Sequence, residues 1–318
     1  AANSIALSTD NAITGGNLNA ASTITLSSLT SVTTGTLDAP SIVIGQTPCF
    51  CFSPPATTVM GAIGATQPAT TVSIGGSTVT VAGTVTGNPA AADTINIQAF
   101  TGTLSINGGN TVVTGGDGST ITLRSEGVGA LAFSNVNAGA TGTVSIRTDS
   151  GTGIRQVGAS GITAKTVSLS ATSAGADIDG DPASPTSGSL QLNNTKILTV
   201  NVNTGGTVAL NANGSQFDSI SITTSSGPDT GPISLSNMGG SQTLTVSDLG
   251  NSDFNLALSS PGSPLIFTFN ANATGIRTAG SGIATGGGNL RLTAAGSFDG
   301  TTGGITTNGG AVNISANA

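Results

Sequence analysis

The last forty residues of the chain repeat themselves at a spacing of 22. The segment from Gly282 to Ala294 is followed by a second copy from Gly304 to Ala316. Gly282/Gly304, Ile283/Ile305, Thr285/Thr307, Gly287/Gly309, Gly288/Gly310 and Ala294/Ala316 match identically, and Leu290/Val312 and Leu292/Ile314 match by type. A short period with alternating apolar residues and glycine turns marks a β-solenoid, in which one repeat makes one coil. A coil cannot bury its apolar face by itself. Coils therefore stack and share one long core.

The alternation continues upstream. Ser4-Ile5-Ala6-Leu7-Ser8, Thr23-Ile24-Thr25-Leu26-Ser27, Thr94-Ile95-Asn96-Ile97, Thr120-Ile121-Thr122-Leu123 and Thr166-Val167-Ser168-Leu169 all read x-apolar-polar-apolar. A period of two is a strand with one buried face. Parallel sheets covered by helices read as continuous apolar runs. Here the outward residues are Thr, Ser and Asn, so the outer face meets solvent. The expected fold is all-β: a right-handed parallel β-helix of roughly 22 residues per coil. At ~4.8 Å between coils, such a chain makes roughly 14 coils and a rod on the order of 65 Å long. The inward residues Leu26, Ile44, Leu169, Leu192, Leu292 and Ile314 should stack in rows.

Residues 1–318 read as one solenoid with two interruptions. Residues 46–70 hold Pro48, Pro54, Pro55 and Pro68. Each proline removes a ladder donor, so the stretch is expected to loop out of the coil. Its Phe50, Phe52 and Met60 would then be offered to a lateral neighbour or to the coil wall. Residues 177–188, with Asp177, Asp179, Asp181, Pro182 and Pro185, read as a second, acidic loop. A longer repeat is also present: Thr152-Gly153-Ile154-Arg155 through Gly161-Ile162-Thr163 resembles Thr274-Gly275-Ile276-Arg277 through Gly282-Ile283-Ala284.

Composition excludes several functions. Only 7% of residues are charged, the net charge is −7, and His, Trp and Tyr are absent. Nucleic-acid binding needs a basic patch and stacking surfaces, and neither is present. Without His the usual catalytic triads and the commonest general base cannot be built. Carboxylate-based chemistry on a polysaccharide is the enzymatic alternative, but the Asp residues stand mostly singly at turns, and bare surfaces lacking Tyr and Trp stack sugars poorly. The chain reads as no enzyme. No apolar run reaches the ~20 residues of a membrane helix. The opening Ala1-Ala2-Asn3-Ser4 suits the mature side of a cleaved signal or a fragment of something longer. Few lysines and abundant Thr, Asn and Gly suit an extracellular or cell-surface protein.

Two motifs concern ligands and redox state. Asp177, Asp179 and Asp181 alternate around Gly180 and supply the oxygen donors Ca²⁺ prefers. The full calcium-loop spacing is absent, and a solvated turn is the favoured account. No other cofactor is expected. Cys49 and Cys51 form a C-x-C pair, too few ligands for zinc by itself. A local disulfide, two buried thiols, and bonds to a neighbouring subunit all stand as readings.

Gly282 to Ser297 and Gly304 to Ala318, with Ala12 to Leu18 as a fainter copy, resemble the glycine-rich strand repeats of filamentous haemagglutinin-type bacterial surface proteins. That resemblance implies a right-handed β-helix secreted across the outer membrane, serving adhesion or surface structure, with cell-surface or matrix components as partners. The expected function is a structural subunit of an extracellular filament. Copies would polymerise head to tail through the terminal coils, with Ile5 and Leu7 at one axial interface and Val312 and Ile314 at the other. The shaft of a large secreted adhesin is the alternative.

Overall fold

The computed structural model describes residues 2–45, 56–59, 61–106, 112–180, 188–203, 206–224, 233–236, 243–248, 253–259, 266–268, 275–284, 290–294, 297–301 and 303–316. Cys49, Phe50, Cys51, Phe52, Met60 and Asp181 lie outside the described residues. The described chain is all-β, with no helix, and its parallel strands stack about 23 residues apart as a β-solenoid. It divides into two compact units, residues 1–150 with 156–164, and residues 151–155 with 165–318.

In the first unit one sheet stacks Ala2–Thr9, Leu18–Ser28, Ser41–Ile44, Thr71–Gly76, Thr94–Ala99, Thr120–Ser125 and Thr143–Thr148, every pair parallel. A second sheet runs through Ile13–Thr14, Ser31–Thr34, Ala56–Val59, Val79–Val81, Leu104–Ile106 and Leu131–Asn137. In the second unit the first kind of sheet runs from Thr166–Ala171 through Ile197–Val202, Ser219–Thr224, Thr243–Asp248, Ile266–Thr268 and Leu290–Ala294 to Val312–Ala316. Its companion includes Ile178–Gly180, Val208–Asn211, Ile233–Ser236, Asp253–Ser259, Gly275–Ala284 and Ser297–Asp299.

The period-two pattern is what fills the interior. Ile24, Ile42, Val72, Ile95, Ile121 and Val144 follow one another in register and are all fully buried. Leu26, Ile44, Ile74, Ile97, Leu123 and Ile146 form the parallel row two residues on. Val167, Leu198 and Ile220 begin the corresponding row of the second unit, beside Leu169, Val200 and Ile222. The buried side chains stand in register with their equivalents on the adjacent coils, so the hydrophobic gain of a coil depends on its neighbours. The 22-residue repeat is this register. Ile283 pairs with Ile305, Leu290 with Val312, Leu292 with Ile314 and Ala294 with Ala316. The longer repeat also has a structural basis: Gly161 and Gly282 both take a left-handed backbone, at φ 78° and 76°.

The two stretches expected to leave the coil belong to it in part. Ala56–Val59 pairs with Ser31–Thr34 on one side and Val79–Val81 on the other. Ile63 bridges Leu37 and Val85, and Val59, Ile63 and Ala69 are fully buried. Pro68, the described proline of this stretch, adjoins the bridged Ala69 without taking its donor position, since the Ala69 N–H donates to the Thr86 carbonyl at 3.2 Å. Thr57 N–H donates to the Thr78 carbonyl at 2.8 Å, and Ile63 N–H to the Thr84 carbonyl at 2.8 Å. Likewise Ile178–Gly180 is a strand. Ile178 is fully buried and paired with Val208, so only part of 177–188 is available for a loop.

Candidate functional site

The buried pattern of the strand rows breaks at Ala2–Thr9 in the first unit and at Val312–Ala316 in the second. Ala2–Thr9 pairs with Leu18–Ser28, placing Ile5 over Ile24 and Leu7 over Leu26. Ile24 and Leu26 are fully buried, whereas Leu7 is 44% exposed and Ile5 half-buried. Val312–Ala316 pairs with Leu290–Ala294, placing Val312 and Ile314 over Leu290 and Leu292. Leu290 and Leu292 are buried, whereas Val312 is 46% and Ile314 40% exposed. Among the described residues neither outer strand has a second ladder partner. Among the described residues, the backbone groups and apolar side chains on the far side of each strand thus have no covering coil. Ser4-Ile5-Ala6-Leu7-Ser8 and Ala311-Val312-Asn313-Ile314-Ser315 carry the same x-apolar-small/polar-apolar pattern.

The acidic residues mostly serve the corners. Asp38 Oδ1 accepts the Thr66 N–H at 2.9 Å and Oδ2 accepts the Thr66 hydroxyl at 2.9 Å. Asp117 Oδ1 accepts the Thr141 N–H at 2.7 Å. Asp177 Oδ1 accepts both the N–H and the hydroxyl of Thr207 at 2.7 Å. In each case the threonine lies 24 to 30 residues onward, across the coil repeat. The carboxylate caps a turn that would otherwise leave a donor unpaired. Burial pushes the Asp38 carboxyl up, but the Thr66 and Gln67 donors outweigh it, and its pKa falls below the ordinary carboxylate value. Asp117, held chiefly by the Thr141 N–H, is lowered too.

This network gives the acidic cluster of the second unit separate duties. Asp177 is committed to Thr207, and its own carbonyl accepts the Ile154 N–H at 2.7 Å. Asp179 stands 3.6 Å from the Arg155 guanidinium. Among the described residues no group of three or more His, Cys, Asp or Glu side chains is placed to hold a metal ion.

Asp93 is different. It is 2% exposed, its Oδ2 accepts the Gly116 N–H at 3.0 Å, and its Oδ1 is buried with no hydrogen-bond partner. Burial raises its pKa, and the Gly116 N–H only partly offsets that. Ser119 Oγ accepts the Asp93 N–H at 2.9 Å and donates to the Gly116 carbonyl at 2.6 Å, closing the corner.

On the outer face of the first unit, Gln98, Arg124 and Arg147 stand in register on successive coils. Glu126 accepts from Gln98 Nε2 at 2.8 Å and pairs with Arg124 at 2.7 Å; Arg147 pairs with Asp149 at 3.0 Å. Sequence reading did not single out this group, because its members become neighbours only through coil register. Beside it is a notch of about 110 Å³ bordered by Val43, Asn96, Gln98 and Phe100.

No protein-family model, curated protein or solved structure matches the chain. No helix among the described residues is long and apolar enough to cross a membrane.

Proposed function

We propose that the chain is a structural β-solenoid component of an extracellular filament or surface appendage. Copies join by stacking the Val312–Ala316 coil of one onto the Ala2–Thr9 coil of the next. The observation that supports this reading is the exposure of Leu7, Val312 and Ile314 in rows whose next members are buried. A coil docked on either edge would pair the open ladder and cover the apolar rows in one step. Such a contact is heterologous, so it need not close and can propagate. The scarcity of lysine and the Thr/Ser/Asn-rich outer face fit the extracellular setting. Cell-surface or matrix components are the further partners this reading allows.

The test is to place a charge in each open row, Leu7→Asp together with Ile314→Asp, and to examine the protein by electron microscopy and circular dichroism. The expected outcome is loss of fibres with the β signal kept, because an unpaired carboxylate in a dry contact is strongly unfavourable. Fibres that persist unchanged would refute the axial contact. Additional coils of a longer polypeptide would cover the same edges, as in an adhesin shaft; the mass of the native polypeptide distinguishes that arrangement from a homopolymer.

A further inference from the structure

The notch on the outer face of the first unit spans three successive coils. Its floor is bare backbone at Gly45 and Gly75, where no side chain stands. Gly45 has φ 80°, and a Cβ there would sit 1.9 Å from the Gly75 carbonyl oxygen, so the floor is fixed as backbone by close approach of the coils. One wall carries Val43, Ser73 and Asn96, which follow one another in register. The other is Gln98 and the half-buried ring of Phe100. Phe100 is held by its backbone N–H, which donates to the Gly76 carbonyl at 2.8 Å.

The polar groups of the notch are only partly spent on the protein: the Gly75 carbonyl accepts the Thr57 hydroxyl at 2.9 Å. The Asn96 amide and the Ser73 hydroxyl have no hydrogen-bond partner among the described residues. Gln98 commits its Nε2 to Glu126, which fixes the amide and leaves its carbonyl oxygen as an acceptor. The charges beside the notch are compensated, Arg124 by Glu126 and Arg147 by Asp149. A charged ligand therefore gains little here. What the notch offers is one aromatic face, a backbone floor that admits close approach, and a few hydroxyl- and amide-type groups.

We propose that this notch is a binding subsite for one neutral pyranose ring of a glycan, its apolar C–H face against Phe100 and its hydroxyls on Asn96, Ser73 and Gln98. A few polar groups on an apolar wall fix the orientation of a small amphipathic ligand. The volume is small against the ~300–1,000 Å³ of sites that enclose a whole drug-sized ligand. One ring is therefore the expected load, and the affinity is on the order of a millimolar Kd. Repetition of the subsite along a polymer would raise the avidity, but the site itself does not depend on polymerisation.

The experiment is saturation-transfer NMR on the full chain, in whatever assembly state it adopts. The probes are methyl β-D-glucopyranoside and methyl β-D-galactopyranoside, with glycerol as the control polyol. Saturable transfer to the ring C–H protons of at least one glycoside is expected, with none to glycerol. Phe100→Ala should weaken it roughly tenfold, the scale of one lost aromatic contact. Asn96→Ala should weaken it as well, and Thr122→Ala, on the same face outside the notch, should leave it unchanged. Melting curves establish that each variant is folded; should Phe100→Ala disturb the fold, Asn96→Ala decides. Added salt should leave binding unchanged, since no net charge is engaged. Absence of transfer to both glycosides, equal transfer to glycerol, binding unaffected by Phe100→Ala and Asn96→Ala, or binding abolished by salt would each overturn the proposal.

Discussion

Replacing Leu7 and Ile314 by alanine measures how much the open rows contribute once copies are joined. Leu7 is 44% exposed and Ile314 40% exposed, so roughly two-fifths of each side chain remains to be covered. Full burial of a Leu or Ile side chain contributes about 1.5–3 kcal/mol. Covering the remaining share should therefore contribute about 1 kcal/mol per residue. One axial contact uses one row of each kind. The double substitution should weaken it by about 2 kcal/mol, which is roughly thirtyfold in the critical concentration for fibre formation. Sedimentation of fibres against total protein gives that concentration directly. The dispersed chain supplies the contrast. Leu26 sits in register between Leu7 and Ile44 and is fully buried, so Leu26→Ala should cost about 2–5 kcal/mol of fold stability. Leu7→Ala in the dispersed chain removes only its half-covered contact and should cost about 1 kcal/mol. Urea midpoints compare the two, since a stacked array need not unfold in a single step. The reasoning fails if the critical concentration of the double variant stays within about twofold of the parent. It also fails if Leu7→Ala destabilises the dispersed chain as much as Leu26→Ala.

Four further outcomes are expected. Asp93→Asn should be more stable than the parent near neutral pH: the fold favours the protonated Asp93, so the stabilisation from its proton is present at low pH and is lost as pH rises through its raised pKa, whereas the amide never ionises. Asp38 and Asp117 act in the opposite sense, stabilising above the ordinary carboxylate value and losing that contribution as pH falls through their lowered pKa values; urea midpoints across about pH 3 to 7 separate the two behaviours. Asp177→Ala should cost about 1–2 kcal/mol through the uncapped Thr207 N–H and hydroxyl, and added Ca²⁺ should leave the melting temperature of both proteins unchanged; a calcium-dependent rise in the parent lost in the variant would instead support a metal site. Gly282→Ala should destabilise by about 2 kcal/mol or more, since φ is 76° and the added Cβ would lie 2.0 Å from the Gly304 carbonyl oxygen, whereas Gly304→Ala meets nothing within 4 Å and should be close to neutral by thermal melting.

That pair of glycines marks the division between what is written in the chain and what folding adds. Alternation at period two and recurrence near 22 residues are local, countable properties. They are enough to assign the all-β solenoid, the buried positions of Leu26, Ile44, Leu169, Leu192 and Leu292, and the partnership of Leu290 with Val312 and Leu292 with Ile314, whereas Ile314, expected in the same inward rows, is 40% exposed. The reason is that a strand's buried face follows from its side-chain period, and a repeated coil stacks on its copy. Gly282 and Gly304 are equivalent in that reading, yet only one is held in a left-handed turn against a neighbouring carbonyl. The prolines of residues 46–70 predict a loop, but whether a proline interrupts a ladder depends on which N–H groups the adjacent coils engage. The offset between paired strands varies from 18 residues, Thr23 to Ser41, to 31, Thr166 to Ile197. With coil length variable, the residues that meet across coils are fixed only when the corners fold. Asp177 on Thr207, the unpartnered oxygen of Asp93, and the meeting of Gly45, Gly75 and Phe100 in one notch are therefore decided by the tertiary structure.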